Sequence, residues 1–433
     1  MSRARRTHPS PRDEFDSRLA RVRQRMAERD LGAILVAAPE NVYYLTGLEH
    51  QGYFAYEMLV VPMEGELILI TRAMERVTVR DQAPWVCHVG YSDGVAPLPA
   101  AEDRERDLLM LGHDPDGEQT GLRPWEMSVG VAVQGPVADR PDVPTRATID
   151  ALRDAGLTGR LGIEQKGSFL PYSIAHGIIR GVADVEWVDC SGLVDDCRLI
   201  QSPLELECTQ AAATVTDSMM LAAIAAAGPG VRECDVMAAL YDAMFRRGGT
   251  YPGFVPLVRS THTLQHEHGT WSDGQLRSRD VLFLEMAGCV RRYHAPSGRF
   301  IFIGKVPARA EHALRICEEA LMRAAAAVRP GAIANDVYRQ WHKVLKRAGL
   351  AHYSRHHCGY AVGIGFPPSW SGSGTPRGLR EGSEMELKSG MVFHLMSWLL
   401  RTAKGDAFLS DTIVVTDDGC ELLTNTARTL TVR

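Results

Sequence analysis

Residues 282–305, LFLEMAGCVRRYHAPSGRFIFIGK, read as the two strands of a β-hairpin that carry Glu285 and His294. Apolar residues dominate both strands. Glu285 stands out because it sits in VLFLEMAG, and a carboxylate left unpaired on so apolar a strand is costly. That cost favours a working group over a buried structural acid.

The segments flanking this hairpin repeat one another. GPGVRECDVMAALYDAMFRRGG at 228–249 matches RPGAIANDVYRQWHKVLKRAGL at 329–350 without a gap. Pro229-Gly230 falls on Pro330-Gly331, Asp235-Val236 on Asp336-Val337, Arg246 on Arg347 and Gly248 on Gly349. Each unit reads as a helix, a Pro-Gly stop, and a second amphipathic helix ended by glycine. Strands follow: 282–305 after the first unit, and 360–365, 391–400 and 408–416 after the second. Two ααβ units in tandem predict a pseudo-twofold α+β domain, one curved sheet under four helices. Chance similarity of two helix hairpins is the alternative.

The first half of the chain is different. Residues 14–31 show helical spacing, stopped by Gly32. Ala33–Ala38, Tyr56–Pro62 and Glu66–Thr71 are strand-like, as are 161–164 and 185–188, with helices between them. That alternation predicts an α/β layer domain. Residues 93–143, rich in Asp, Gly and Pro, read as a long irregular excursion. A boundary falls near 197–204, where Ser202-Pro203 precedes a long helix ended by Gly228-Pro229-Gly230. The expected division is a disordered tail over 1–12, an N-terminal domain over 13–197 and a C-terminal domain over 198–433.

Composition excludes several classes of function. A net charge of −5 over 433 residues gives no electrostatic reason to expect nucleic acid or an anionic membrane as partner. The first dozen residues are basic with no apolar run behind them, unlike a secretory signal. No segment reaches the apolar length of a membrane span. The nine cysteines are odd in number, scattered, and without a CxxC pair. They read as reduced thiols of a cytoplasmic protein, not as a disulfide scaffold or zinc cage.

This organisation resembles the pita-bread superfamily, which includes methionine aminopeptidase, Xaa-Pro peptidases, creatinase and ectoine hydrolase. NVYYLTG (41–47) is similar to the signature of its creatinase-type N-terminal domain. SGMVFHL (389–395) and DTIVVTDDGCELLT (411–424) are similar to its catalytic domain. The resemblance covers nearly the whole chain. In the peptidases of that superfamily two Asp, one His and two Glu hold two divalent metals that activate a bridging water. Local alignment puts those positions on Glu285, Pro296, Tyr360, Met396 and Ser410. Proline and methionine do not replace carboxylates around a hard cation, so the resemblance implies no dinuclear centre and no cofactor. A register slip would restore Asp411 or His357 as ligands, and a different metal site built from His356, His357 and His394 stays open.

The hairpin and GYAVGIGFPPSW (359–370) most resemble the metal-free branch of creatinase and ectoine hydrolase, with Tyr360 where the peptidases have histidine. His268, in HEHGTWSD (266–273), matches the superfamily's catalytic histidine, and its spacing to Thr270, Trp271 and Asp273 favours it over His266. Imidazole takes and returns a proton near neutrality. The resemblance implies a homodimeric hydrolase of a non-peptide C–N bond in a small zwitterionic or cationic amidine, guanidine or cyclic amide. His268 would be the general acid/base, and Glu285 would hold the substrate's N–H groups. Tyr360 and His294 would hydrogen-bond the adduct, and Arg291 or Arg292 would hold a substrate carboxylate. His357 and His394 would line the pocket. Tyr53, Tyr56 and Glu57 match the lid that the family lends to the neighbouring subunit's site. For the arginines a solvated salt-bridging pair is the alternative, and for the lid residues ordinary packing. Two departures from the pattern stand out. Residues 371–383 are longer and more glycine-rich than in the family, and creatinase's substrate-binding arginine falls on Ala55. Neither creatine nor ectoine is thereby implied as substrate. The rival readings are an Xaa-Pro peptidase with a relocated metal and a non-catalytic peptide-binding module.

Overall fold

The computed structural model describes residues 12–91, 143–353, 355–374 and 376–433. Except for Arg12 and Val143, which open helices, the expected tail and the expected excursion over 93–143 lie outside the described residues. The chain divides between Cys197 and Arg198 into two compact units.

The N-terminal unit is α/β. Apart from a short helix over Leu193–Arg198 at the boundary, its α-helices among the described residues are α1 (Arg12–Ala27), α2 (Pro39–Thr46), α3 (Arg76–Gln82), α4 (Val143–Asp154) and α5 (Tyr172–Gly181). Its strands are β1 (Ala33–Val36), β2 (Met58–Pro62), β3 (Leu67–Arg72), β4 (Val86–Tyr91), β5 (Gly159–Ile163) and β6 (Val185–Asp189). They order as β4-β3-β2-β1-β5-β6, with β1 antiparallel to β2 and parallel to β5. The central strand AILV is buried throughout, as a strand covered on both faces must be. The NVYYLT signature is α2, and all of it is buried. Glu164 holds the start of that helix: its carboxylate accepts from the Ala37 and Ala38 amides and from Asn41 Nδ2 at 2.7–3.1 Å. Burial, then the Asp195 charge, pushes Glu164 up to about 8.

The residues expected to form a lid are committed within this unit. The Tyr56 hydroxyl meets Thr148 Oγ1 at 2.8 Å, and Tyr53 packs edge-on against Phe169. Glu57 and Glu75 flank His50 at 2.7 and 3.3 Å. Burial opposes the imidazolium, but the two carboxylates override it and lift His50 to about 9. Between these anchors Phe54 stands 75% exposed.

The C-terminal unit is α+β and shows the repeat. Its helices are α6 (Pro203–Ala226), α7 (Glu233–Arg246), α8 (Ala310–Ala325) and α9 (Ala334–Arg347). Its strands are β7 (Leu257–Ser260), β8 (Val281–Val290), β9 (Tyr293–Phe302), β10 (Gly359–Ala361), β11 (Gly378–Leu379), β12 (Val392–Thr402), β13 (Gly405–Val415), β14 (Cys420–Leu422) and β15 (Thr431–Val432). They form one sheet, β11-β10-β12-β13-β9-β8-β7, with β14 on β13 and β15 on β9. Ser202 and Glu205 close a capping box at the start of α6.

The two halves of the repeat share their turn chemistry. Gly230 and Gly331 have φ of 85° and 80°, and their amides donate to Leu276 O and Leu387 O. Gly248 and Gly349 end α7 and α9 in the left-handed region, and the next amides reach back to Met244 O and Leu345 O. That is the same helix-ending motif twice. Leu282, Leu284, Met286 and Ile301 pack against α6 and α7. Phe393, Leu395, Leu409 and Ile413 pack against α8 and α9. All nine cysteines are free, and no helix among the described residues is long and apolar enough to cross a membrane.

Candidate active site

Sheet register assembles one polar row. Leu257 pairs with Glu285, Glu285 with Gly298, Gly298 with Ser410, and Ser410 with Met396. Two residues along, Ala287 pairs with Pro296 and His394 with Thr412, with Tyr360 opposite His394. Side chains alternate between faces. The residues between these, Leu284, Leu395 and Leu409, enter the helix-side cores. Glu285, Pro296, Met396, Ser410 and Tyr360 therefore share the face turned away from the helices. A side chain at Gly298 has no room, since its Cβ would lie 2.1 Å from the Phe408 ring and 2.8 Å from Ser410 Oγ.

Glu285 is 7% exposed and accepts no hydrogen bond among the described residues; His394 Nε2 lies 3.9 Å from its Oε1. Burial pushes the carboxylate up to about 7. The Arg259 charge pulls it down, and Glu267 pushes it up. His394 is driven down to about 3 by burial and by His357, so its ring is neutral. Trp370 Nε1 donates to the Tyr360 oxygen at 2.9 Å, and that oxygen lies 3.2 Å from His394 Nδ1. Where Tyr360 donates its proton to Nδ1, the neutral His394 ring carries its own proton on Nε2, facing Glu285. Burial, with Glu285 beside it, pushes the Tyr360 phenol far above its usual range, so it stays protonated. Trp370 and His268 both contact the Phe254 ring. His268 is exposed and makes no hydrogen bond among the described residues.

Other expected site residues are engaged elsewhere. His294 is fully buried: the Gly253 amide donates to its Nε2 at 2.7 Å, and its Nδ1 donates to Gly363 O at 3.2 Å. Burial and the Arg292 charge hold it down to about 3. It clamps two loops and has no ring nitrogen left for an adduct. Arg292 is likewise a clamp. Its guanidinium donates to Tyr251 O and Gly365 O and lies between the Tyr251 and Phe366 rings. Arg291 and Arg292 form the two-residue hairpin turn, with φ of 49° and 66°. Such a turn needs positive φ at both residues, and the contacts of Arg292 offset the strain there. Arg291 is exposed at the tip. His357 is half-buried and packs edge-on against Tyr360.

Sequence reasoning missed Arg259, Phe254 and Trp370. Arg259 is 3% exposed, lies over the Phe283 ring, and donates from Nη1 to the carbonyl of His266 in the loop that carries His268. Its signal in the sequence is a lone charge in the apolar run PLVRS.

The five positions do not fit a dinuclear metal centre. Glu285 supplies the one carboxylate among them; proline, methionine, serine and tyrosine fill the rest. Asp411, the register-slip candidate, pairs with Arg299 and Arg428 at 2.8 Å each and accepts from Thr424. Among the described residues no three His, Cys, Asp or Glu side chains cluster as metal donors.

Known families account for nearly all of this chain. Residues 18–200 match the Creatinase/Prolidase N-terminal domain, and residues 207–417 match Metallopeptidase family M24. An uncharacterized hydrolase/peptidase of Sinorhizobium fredii is 27% identical over 97% of both chains. Ectoine hydrolase of Halomonas elongata is 26% identical over 98% of both chains. In fold, the chain is similar to the Xaa-Pro dipeptidase of Bacillus anthracis, with a TM-score of 0.74, 19% identity, and coverage of 97% of this chain and 100% of that one. An α/β unit carrying the NVYYLT helix, followed by a pseudo-twofold ααβ unit, thus makes this chain a member of the creatinase and prolidase-type pita-bread hydrolases, with a Creatinase/Prolidase N-terminal domain and an M24 domain.

Proposed function

We propose that this chain hydrolyses a non-peptide C–N bond in a small amidine, guanidine or cyclic amide without a metal. One observation carries the reading: the buried carboxylate of Glu285 accepts no hydrogen bond among the described residues and shares its sheet face with Pro296, Met396, Ser410 and Tyr360, onto which the local alignment puts the other metal-ligand positions of the peptidases. A planar amidinium suits that carboxylate, because two parallel N–H bonds satisfy both oxygens. The full-length similarity to an ectoine hydrolase supports the substrate class.

The chemistry balances without a cofactor. His268 takes a proton from water as the water oxygen bonds to the electron-poor carbon. The resulting tetrahedral adduct is held by Glu285 and by His394 Nε2–H. His268 returns that proton to the departing nitrogen, the C–N bond breaks, and the adduct's hydroxyl proton passes to the Glu285 carboxylate as the carbonyl forms, to be released to the departing amine. An amidinium or guanidinium substrate brings the positive charge that a metal supplies elsewhere.

Turnover of cyclic amidines, guanidines and Xaa-Pro dipeptides by chelator-treated protein tests the reading. Activity on an amidine or guanidine, unchanged by added manganese, zinc or iron, is the expected result. Dipeptide cleavage restored by one of those ions would assign the chain to the peptidases instead. A second test concerns the exposed His268. His268→Ala should lower kcat by roughly 10²–10⁴-fold and leave the melting temperature unchanged. Full turnover by that variant would remove His268 from the mechanism.

A further inference from the structure

We infer that Arg259 is the specificity-determining residue of this site, binding an anionic group of the substrate while Glu285 binds its cationic end. The inference rests on the proposed function and narrows its substrate class to zwitterions.

The placement comes from register. Leu257 pairs with Glu285, and Arg259 lies two residues further along β7 on the same face. Diagonal neighbours of this kind have Cα atoms about 7–8 Å apart. The two opposite charges sense one another, since Arg259 lowers the pKa of Glu285. Among the described residues, however, Glu285 makes no ion pair with Arg259. A buried guanidinium beside a buried carboxylate, each without the other as partner, is an expensive arrangement. A ligand with a cationic plane and a carboxylate a few bonds away satisfies both groups.

The unpaired polar atoms point the same way. Among the described residues Arg259 Nε is buried without a hydrogen-bond partner, and so are His394 Nε2, Trp398 Nε1 and Ser410 Oγ. Trp398 shares its face of β12 with His394 and Met396. Arg259 Nε and Trp398 Nε1 are donors only, His394 Nε2 is a third in the tautomer in which Tyr360 donates to Nδ1, and the serine hydroxyl donates as readily. Glu285 is the one carboxylate of the row, and the Glu267 charge also acts on Arg259 from the loop that carries His268. A site rich in buried donors is matched by a ligand rich in acceptors. A carboxylate meets that need, and arginine holds it through a charge-assisted bond from Nε. Arg259 also secures the His268 loop through the His266 carbonyl, so a merely structural role must be separated from recognition.

Matched ligands make the separation. Calorimetric binding by the full chain would compare guanidinoacetate with methylguanidine, and a methyl-tetrahydropyrimidine carrying a ring carboxylate with the same ring lacking it. Wild-type protein should bind the carboxylate-bearing member of at least one pair tenfold or more tightly. Arg259→Gln should erase that ratio while keeping the affinity for the member without a carboxylate within twofold. Glu285→Gln should weaken both members of the pair. A structural role for Arg259 would instead lower both affinities together, and that result, or a ratio that persists in Arg259→Gln, overturns the inference and leaves the proposed function standing. So does a wild-type protein that does not discriminate within the pair. If wild-type protein binds none of the four compounds, the proposed function falls, and the inference falls with it. Should Arg259→Gln fail to fold, Arg259→Lys carries the test. A point charge in place of the planar fork should shrink the ratio, and an unchanged ratio would again overturn the inference.

Discussion

Replacing Glu285 with glutamine is expected to lower kcat/KM by roughly 10²–10⁴-fold and, at the same time, to make the protein more stable in alkaline solution. Both effects come from one buried carboxylate. Its folded pKa is raised from the ordinary 4.5 to about 7 by burial. The folded state therefore holds a proton that the unfolded state has already lost. The associated stability is fully present below pH 4.5 and is lost as pH rises through about 7. The difference amounts to on the order of 3 kcal/mol. Urea titrations of wild type and Glu285→Gln should coincide near pH 4 and diverge by about that amount at pH 8, with the variant more stable. Glu164 adds a pH dependence of the same sign up to about 8, but it is common to both proteins and cancels in the difference. In activity the sign reverses, because the ionised carboxylate binds the cation. Wild-type kcat/KM should rise with pH through about 7, and in the variant the rise should shrink to what the general base His268 contributes. Equal stability at pH 8 would show that Glu285 is paired in solution and would remove the reason for calling it a working group.

The second large effect is expected at Asp411. This carboxylate is fully buried and is held by Arg299, Arg428 and Thr424. Asp411→Ala leaves Arg299 buried without its counter-ion, which should cost roughly 3–5 kcal/mol. The loss should appear as a shift in the urea midpoint, with kcat of the folded fraction retained. A variant as stable as wild type but inactive would mean that Asp411 serves the reaction directly, as a metal ligand does.

The repeat was legible because its signals are local. Paired Pro-Gly stops and glycine ends must appear in the sequence wherever a helix closes in this way, and the structure uses them twice with the same hydrogen bonds. Glu285 was legible for a related reason, as a charge in an apolar strand. The roles of His294 and Arg292 were not legible. Their partners are main-chain groups of Gly253, Gly363, Tyr251 and Gly365, and no side-chain pattern announces a main-chain carbonyl brought close by the fold. Arg259 was missed for the converse reason. Its place beside Glu285 appears only once β7 pairs with β8 in a register that sets the two residues diagonal to one another. The Trp370–Tyr360–His394 chain likewise depends on a loop folding back over β10 and β12.

The central claim is that the face around Glu285 recognises a charged organic ligand with its own side chains. Anomalous diffraction from crystals grown with manganese, iron, cobalt and zinc, each measured at its absorption edge, tests it most directly. No ion is expected within bonding distance of Glu285. Two ions about 3.5–4 Å apart beside that carboxylate would contradict it.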